Sequence, residues 1–231
     1  MRVPFEVDAI AIDLDGTLVD SVPDLATAVN ATLADLGLPA VGEEKVRQWV
    51  GNGAARLVGR ALTGRFDGTP GSRQLAAGLE RFEHHYGENL CVGSRLYPGV
   101  REGLTALAEL GYPLACVTNK PDAFAWPLLE RLGVGDFFET VVGGDSAPAK
   151  KPAPDALLLV AERLGVNPER LLLVGDSVND VGAARAGRCP VVCVPYGYNH
   201  GDDIRDANPD AVIGSLVDLP PLLSAEACQR A

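Results

Sequence analysis

The chain has 231 residues, 47% of them apolar, which predicts a folded protein with one large domain or two modest ones. Its formal net charge of −11 argues against nucleic acid and anionic membranes as partners, because both require a basic face. No apolar run reaches the ~18 residues of a membrane-spanning helix, and residues 1–8 lack the apolar region of a signal peptide.

The first predicted element is a buried strand in the apolar run Ala9–Ile12. Asp13 follows it directly, Asp15 comes two residues later, and Gly16 comes next. Open α/β sheets bind ligands at the carboxyl ends of their strands, so both acids lie where a site is expected. Paired carboxylates suit a divalent metal ion, and one of them is a candidate nucleophile. The alternative is an Asp-rich turn that only closes the strand.

The segment from about residue 20 to residue 92 is predicted to be entirely helical. Ser21 is a predicted helix N-cap, and apolar residues repeat at helical spacing from there to Leu36. Further helices are predicted at 43–50, 54–62 and 72–90. The Gly51-Asn52-Gly53 segment and a loop rich in Gly, Thr and Pro at 63–71 separate them.

From residue 97 onward, predicted helices and strands alternate. Strands are predicted at 113–117, 140–142, 171–174, 191–194 and 211–213. Helices are predicted at 100–110, 122–132, 155–164 and about 179–186. This alternation predicts a parallel sheet covered on both faces. The predicted fold class is α/β, a doubly wound Rossmann-like core of residues 1–19 and 93–231, with an α-helical cap domain inserted at 20–92.

Four groups of polar residues follow predicted strands or loops and are expected to meet at one edge of the sheet. They are Asp13 with Asp15, then Thr118, then Lys151, and finally the segment Gly175 to Asp180 with Asp176. Taken singly, each has a simpler explanation as a helix cap, a solvated lysine or a turn. Because carboxylates, a hydroxyl and a lysine all fall at the same edge, a joint chemical role is the better interpretation.

These groups resemble the four motifs of the haloacid dehalogenase-like superfamily of phosphatases that form an aspartyl-phosphate. The resemblance covers nearly the whole chain. The matching segments are Asp13-Leu14-Asp15-Gly16-Thr17-Leu18, Thr118, Lys151 to Pro154, and Gly175 to Asp180. The predicted helical insertion lies where capped members of the superfamily carry theirs.

The resemblance implies a phosphomonoester hydrolase and a role for each residue. Asp13 is the expected nucleophile, and Asp15 is the expected general acid and base. The Thr118 hydroxyl, the Asn119 amide and the Lys151 ammonium are expected to hold the oxygens of the phosphoryl group.

The resemblance also implies a Mg²⁺ cofactor. The expected ligands are the Asp13 carboxylate, the Asp15 backbone carbonyl and Asp176, while Asp180 orients Asp176 or the metal-bound waters from outside. Mg²⁺ and Lys151 would supply the local positive charge that an acidic protein needs to bind an anionic substrate.

Substrate choice is expected to depend on the cap, in Gly51, Asn52, Gly53 and Arg56. Glycines before a helix N-terminus can present amide donors to an anion, and Arg56 is suited to bind a carboxylate through two hydrogen bonds. The segments 15–25 and 50–53 resemble those of superfamily members that hydrolyse 2-phosphoglycolate, which implies this small phosphorylated metabolite as the substrate. A plain helix–helix turn and a solvated arginine are the alternatives.

Other functions stay open at this point. A different small-molecule phosphatase, a pyrophosphatase or a phosphomutase would use the same scaffold. Asp15 argues against a dehalogenase or a phosphonatase, and Lys45 is the only cap lysine that a phosphonatase Schiff base could use. Two alternatives belong to other functional classes. A response-regulator receiver domain is shorter than this chain and has no cap. A non-catalytic interaction protein would not need the complete set of Asp13, Asp15, Thr118, Lys151 and Asp176. A monomer or homodimer is expected.

Cysteine usage predicts the compartment. The five cysteines, which show no paired spacing, are Cys91, Cys116, Cys189, Cys193 and Cys228. Cys116 and Cys193 lie in predicted apolar strands and are expected to be small core residues. The odd number of cysteines and the absent signal region predict a reducing cytoplasm.

Overall fold

The computed structural model describes residues 4–224, so the predictions for Cys228 and residues 1–3 lie outside it. The strands in chain order are β1 (Ala9–Ile12), β2 (Val19–Asp20), β3 (Arg95–Leu96), β4 (Leu114–Val117), β5 (Thr140–Val142), β6 (Leu171–Gly175), β7 (Val191–Cys193) and β8 (Ala211–Val212). Six of them form one sheet, and β2 and β3 form a separate ribbon.

The main sheet has the strand order β5-β4-β1-β6-β7-β8, and all its neighbouring strands are parallel. In the register of β1, Ile10 lies opposite Leu114 of β4 on one side and opposite Leu172 of β6 on the other. The order of strands reverses between β1 and β6. Their carboxyl ends therefore form the topological switch point, where sheets of this kind bind ligands.

The helices within the described residues are α1 (Val22–Asp35), α2 (Glu43–Trp49), α3 (Ala54–Thr63), α4 (Ser72–Glu88), α5 (Val100–Glu109), α6 (Asp122–Arg131), α7 (Asp155–Leu164) and α8 (Val178–Gly187). Helices α1 to α4 follow one another without a strand, whereas α5 to α8 alternate with the strands of the main sheet. The predicted α/β class with a helical insertion is confirmed, and the observed helix bounds lie close to the predicted ones.

Both faces of the sheet are buried, as the continuous apolar strands predict. Ile10 and Ile12 of β1 join an apolar cluster on one face, which also contains residues of α5, α6 and the helical insertion. Ala9 and Ala11 point to the opposite face and join a second cluster with residues of α7 and α8. Helices cover both faces of the sheet and bury β1 between two cores, which fixes the position of the residue that follows β1.

A short antiparallel ribbon, which the sequence analysis did not predict, connects the core to the helical insertion. Val19 of β2 lies opposite Leu96 of β3, and Asp20 lies opposite Arg95. A strand of two residues has no detectable periodicity, so the residue pattern assigned position 20 to the helical segment. Because β2 precedes α1 and β3 follows α4, the two connections run side by side. The domain bounds at 19/20 and 92/93 stay a prediction.

The cysteines within residues 4–224 are free thiols. Cys116 in β4 and Cys193 in β7 are fully buried, as expected for small core residues. Burial raises the pKa of both thiols, which keeps them protonated and unreactive. In the same part of the chain, no helix combines the length and apolar character needed to cross a bilayer.

Candidate active site

The four polar groups meet at one cavity above the carboxyl edge of the sheet. Inside this cavity, the volume open to the centre of a water-sized sphere is ≈ 50 Å³. Its polar lining residues include Asp13, Asp15, Thr118, Asn119, Lys120, Lys151, Asp176 and Asp180. Residues separated by more than 130 positions in the chain are thus brought together because parallel strands place their carboxyl ends at the same edge.

Lys151 is buried in this cavity and is not a solvated loop lysine. Its Nζ donates to Asp13 Oδ1 at 2.6 Å, to Asp180 Oδ1 at 2.6 Å and to the carbonyl oxygen of Val117 at 2.9 Å. These acceptors use all three N–H groups of the ammonium. Although burial opposes the charge, Asp13 and Asp180 raise the pKa of Lys151 above its usual value. The lysine therefore places a fixed positive charge beside Asp13.

Asn119 positions Lys151 through its side-chain amide. Its Oδ1 accepts from the Lys151 backbone N–H at 2.9 Å, and its Nδ2 donates to the Lys151 carbonyl at 3.0 Å. The same Nδ2 donates to the carbonyl of Gly51 in the cap at 2.9 Å. Both N–H groups of this amide are therefore used, which differs from the prediction that the Asn119 amide holds phosphoryl oxygens. The side chain instead ties the lysine loop to the cap loop.

Three buried carboxylates, those of Asp13, Asp176 and Asp180, each place one oxygen within 4.8 Å of the others. Burial is the main cause that raises the pKa of Asp13 to about 7, with a further contribution from Asp180 and opposition from Lys151. Burial and the charge of Asp180 also raise the pKa of Asp176 well above its usual value. Three buried carboxylates beside one lysine form a hard-oxygen, electron-rich site that fits a divalent cation such as Mg²⁺.

Asp180 has hydrogen-bond donors on both carboxylate oxygens. Oδ1 accepts from Lys151, and Oδ2 accepts from the Ser177 hydroxyl at 2.6 Å and the Ser177 N–H at 3.1 Å. Ser177 and Asp180 form a capping box at the start of α8, so the helix-start role considered for Asp180 is also present. The engaged oxygens fit the predicted position of Asp180 behind Asp176.

Asp176 packs against the backbone of Gly16. Gly16 has a φ of +97°, and a Cβ atom at this residue would lie 2.2 Å from Asp176 Oδ2. Any other residue would meet both the strained backbone and the clash, so the glycine after Asp15 is required by this close approach. Asp176 Oδ1 also accepts from the Thr17 hydroxyl at 3.2 Å.

The Asp15 carboxylate is held by Ser21, which was predicted as a helix N-cap, and by Lys120, which the sequence analysis did not identify as a site residue. Ser21 precedes α1 as predicted, but its hydroxyl donates to Asp15 Oδ1 at 2.6 Å and does not cap the helix. The Nζ of Lys120 lies 3.1 Å from Asp15 Oδ2 and donates to the Tyr86 hydroxyl at 3.0 Å. Lys120 directly follows the strand-end residues Thr118 and Asn119. A lysine at that position is the sequence feature that could have identified it as a site residue.

Thr118 is buried and lines the cavity, as predicted. Its Oγ1 accepts from the backbone N–H of Lys120 at 3.1 Å, which leaves its own hydroxyl hydrogen for a ligand. Helix α6 begins with Pro121 at the N-cap position, so Thr118 is not a helix cap.

Tyr198 is a second residue that the sequence analysis missed. Its backbone N–H donates to Asp176 Oδ2 at 2.5 Å, and its hydroxyl donates to Asp20 Oδ1 at 2.5 Å. The hydroxyl also accepts from the Ser21 N–H at 2.9 Å. Tyr198 follows β7 at the same edge of the sheet, and it connects the carboxylate cluster to the ribbon that leads into the cap.

In the cap loop, Gly51 and Gly53 line the cavity, but Asn52 does not. Asn52 Nδ2 donates to Asn179 Oδ1 of the core at 3.3 Å. Arg56 is also absent from the cavity lining, and its guanidinium donates to the carbonyl oxygens of Gly68 at 3.1 Å and Phe66 at 3.4 Å. This placement does not support the prediction that Arg56 binds a substrate carboxylate, because its side chain folds back onto the loop at 64–71.

Substitution of Arg56 by alanine is expected to lower the free energy of unfolding by about 1–2 kcal/mol, through the loss of two hydrogen bonds from a charged donor. The ratio of kcat/KM between carboxylate-bearing and plain phosphate esters is expected to stay unchanged. Chemical denaturation and steady-state kinetics check the two parts. A fall in kcat/KM for the carboxylate-bearing ester alone would show that Arg56 does bind the substrate carboxylate.

The buried lysine beside a strand-end carboxylate, with a carboxylate cluster suited to a cation, defines a site for a small anionic substrate at the edge of an α/β core. The family model described as haloacid dehalogenase-like hydrolase matches residues 7–188. The chain belongs to this family.

Relatives of similar length match over almost the whole chain. A phosphoglycolate phosphatase of Nitrosococcus oceani is 50% identical over 95% of this chain and 98% of its own, and one of Escherichia coli K12 is 45% identical over 94% and 93%. A crystal structure described as a predicted phosphoglycolate phosphatase from Haemophilus somnus has a TM-score of 0.87 and 40% identity, covering 93% of this chain and 97% of its own. The family resemblance inferred from the four motifs is thereby confirmed.

Proposed function

We propose that the protein is a phosphomonoester hydrolase that acts through an aspartyl-phosphate on Asp13. The observation that carries this proposal is the strand-end carboxylate of Asp13, held 2.6 Å from the buried ammonium of Lys151 beside two further carboxylates. Phosphoryl transfer depends mainly on positioning and on neutralising charge, and this arrangement supplies both. A receiver domain is disfavoured, because the helical insertion after β1 has no place in one.

Mg²⁺ is the proposed cofactor. Asp13 and Asp176, with the Asp15 backbone carbonyl, would hold it, and Asp180 would orient Asp176 from behind. Bound there, the ion would neutralise charge on the transferring phosphoryl group.

The chain's own residues account for the proton and bond changes. A carboxylate oxygen of Asp13 attacks phosphorus, and the bond from phosphorus to the ester oxygen breaks. Asp15 donates a proton to that departing oxygen and then removes one from the water that hydrolyses the aspartyl-phosphate. Ser21 and Lys120 fix the direction of the Asp15 carboxylate. Lys151 supplies a positive charge beside Asp13, and the Thr118 hydroxyl donates to a phosphoryl oxygen.

Removal of divalent metal is expected to lower phosphatase turnover at least about a hundredfold, since charge neutralisation by a metal contributes several kcal/mol. Added Mg²⁺ should restore turnover and raise the melting temperature, because a ligand at about 100 times its Kd stabilises the native state by about 2.7 kcal/mol. Kinetics after chelation and calorimetry in both conditions test this. Unchanged turnover in metal-free buffer would refute the metal role.

The proposed substrate is 2-phosphoglycolate. The phosphoglycolate phosphatases among the relatives support it, and so does the small cavity, whose apolar lining includes Leu57 and Phe82 of the helical insertion and Phe124 of α6. The protein is also proposed to act in the cytoplasm as a monomer or homodimer.

Phosphate release from a panel of 2-phosphoglycolate, ethyl phosphate, a hexose phosphate and pyrophosphate tests the proposal. We expect 2-phosphoglycolate to be the best substrate, with kcat/KM of at least about 10⁴ M⁻¹ s⁻¹. A higher kcat/KM for another member of the panel would contradict 2-phosphoglycolate as the preferred substrate. Rearranged phosphate esters without phosphate release would identify a phosphomutase.

A further inference from the structure

Two cationic side chains line the active-site cavity within the described residues, Lys151 and Lys120. All three N–H groups of Lys151 are occupied by protein acceptors. Among residues 4–224, the Lys120 Nζ has polar partners only in Asp15 and the Tyr86 hydroxyl, and it lies 4.7 Å from the centroid of the Tyr86 ring. One of its three N–H groups therefore has no oxygen acceptor and is left for a ligand. Neither the proposed mechanism nor the four motifs give the buried ammonium of Lys120 a contact with the substrate.

We propose that the ammonium of Lys120 binds the carboxylate of the substrate and thereby selects phosphate esters with a carboxylate on the carbon next to the ester oxygen. This inference rests on the proposed phosphatase function and assigns the group that recognises the non-reacting part of the substrate.

The position of Lys120 follows from the role of Asp15. Asp15 must contact the ester oxygen to protonate it, and the Lys120 Nζ lies 3.1 Å from Asp15 Oδ2. In 2-phosphoglycolate the carboxylate is attached to the carbon that carries the ester oxygen. A carboxylate on that carbon therefore lies within reach of the Lys120 ammonium, which already contacts Asp15. In an ester with a longer carbon chain, the carboxylate would lie beyond the ammonium.

Tyr86 adds a hydrogen-bond donor from the cap. Its hydroxyl accepts from Lys120 at 3.0 Å, and within residues 4–224 its own hydrogen has no acceptor. Burial raises the pKa of Tyr86 to about 12, so this hydrogen is retained. Lys120 and Tyr86 together present an ammonium and a hydroxyl to the same point of the cavity, and a carboxylate has two oxygens to accept from them.

The surroundings of this pair increase its effect on specificity. Phe82 stacks on Tyr86 with a ring-centroid distance of 5.7 Å, and Phe124 packs edge-on against Tyr86 at 5.1 Å. Lys120 itself is buried. An ester without the carboxylate would leave the free N–H group of the buried Lys120 without a partner from the substrate, which is the arrangement that discriminates most strongly.

The test compares kcat/KM for 2-phosphoglycolate and for ethyl phosphate, in which a methyl group replaces the carboxylate. Wild type is expected to prefer 2-phosphoglycolate at least about tenfold, and Lys120→Met is expected to reduce this ratio at least about tenfold. Tyr86→Phe, which keeps the ring packing, should reduce it about threefold. Lys45→Met removes an exposed cap lysine and should leave the ratio unchanged.

Lys120 also touches Asp15, so its loss is expected to slow both esters, and the ratio is the decisive readout. Binding to the Asp13→Asn protein, measured by calorimetry, separates affinity from turnover. There Lys120→Met should weaken 2-phosphoglycolate at least about tenfold more than ethyl phosphate. Equal losses for the two ligands would overturn the assignment of Lys120. A wild-type ratio near one would instead overturn 2-phosphoglycolate as the substrate.

Discussion

Replacement of Asp13 by asparagine is expected to lower kcat at least about 10⁴-fold, as the loss of a covalent nucleophile does in other hydrolases. The amide keeps the shape of the carboxylate and can still accept the hydrogen bond from Lys151, but it cannot form the aspartyl-phosphate. It also removes one of three mutually repelling buried carboxylates, so the melting temperature should fall little or rise.

Phosphate release and differential scanning calorimetry check both parts of this expectation. Asp136→Asn, which changes an exposed aspartate, is the matched control and should retain wild-type turnover. Rapid quench with a labelled ester should trap the phosphorylated wild type but not Asp13→Asn. Turnover of the variant within a factor of ten of wild type would assign the nucleophile to another residue.

Replacement of Lys151 by methionine is expected to produce the largest change in stability. It would leave Asp13 and Asp180 as buried charges without their partner, and loss of one member of a buried ion pair costs about 3–5 kcal/mol. In a protein of this length that loss lowers the melting temperature by about 6–20 °C. Turnover should fall at least about a hundredfold with it, because a charge that faces the phosphoryl group is lost.

Low pH should partly restore the stability of Lys151→Met, because burial raises the pKa of Asp13 to about 7 and its protonation removes an uncompensated charge. Denaturation at several pH values measures this, with Lys150→Met at an exposed position as the control. A variant as stable as wild type at neutral pH would show that the carboxylates do not depend on Lys151.

The apolar pattern of the chain predicted most of the fold. Strands such as β1 and β6 are continuous apolar runs because both faces are covered, and the helices between them repeat at helical spacing. The ribbon of β2 and β3 was missed, because its two-residue strands are defined only by pairing between positions far apart in the chain. Periodicity detects local patterns and carries no information on such pairing.

The same distinction applies to the site. Asp13, Asp15, Thr118 and Lys151 were predicted because strand ends share one edge of a parallel sheet, whatever the details of packing. Arg56 was predicted at the site but lies outside the cavity lining, because nothing in its local sequence shows that the carbonyls of the 64–71 loop are within its reach.

The sequence by itself determined the α/β core, the helical insertion, the family and the strand-end residues that line the cavity. Each depends on hydrophobic period or on motif spacing, both of which are local properties of the chain. The tertiary structure decided that Asn119 holds the lysine loop and that Lys120 lies between Asp15 and Tyr86. These partners come from segments separated by tens of residues. The contact of Lys120 with Tyr86 arises only when the cap packs over the core, and the other contacts arise when strand ends and loops of the core come together.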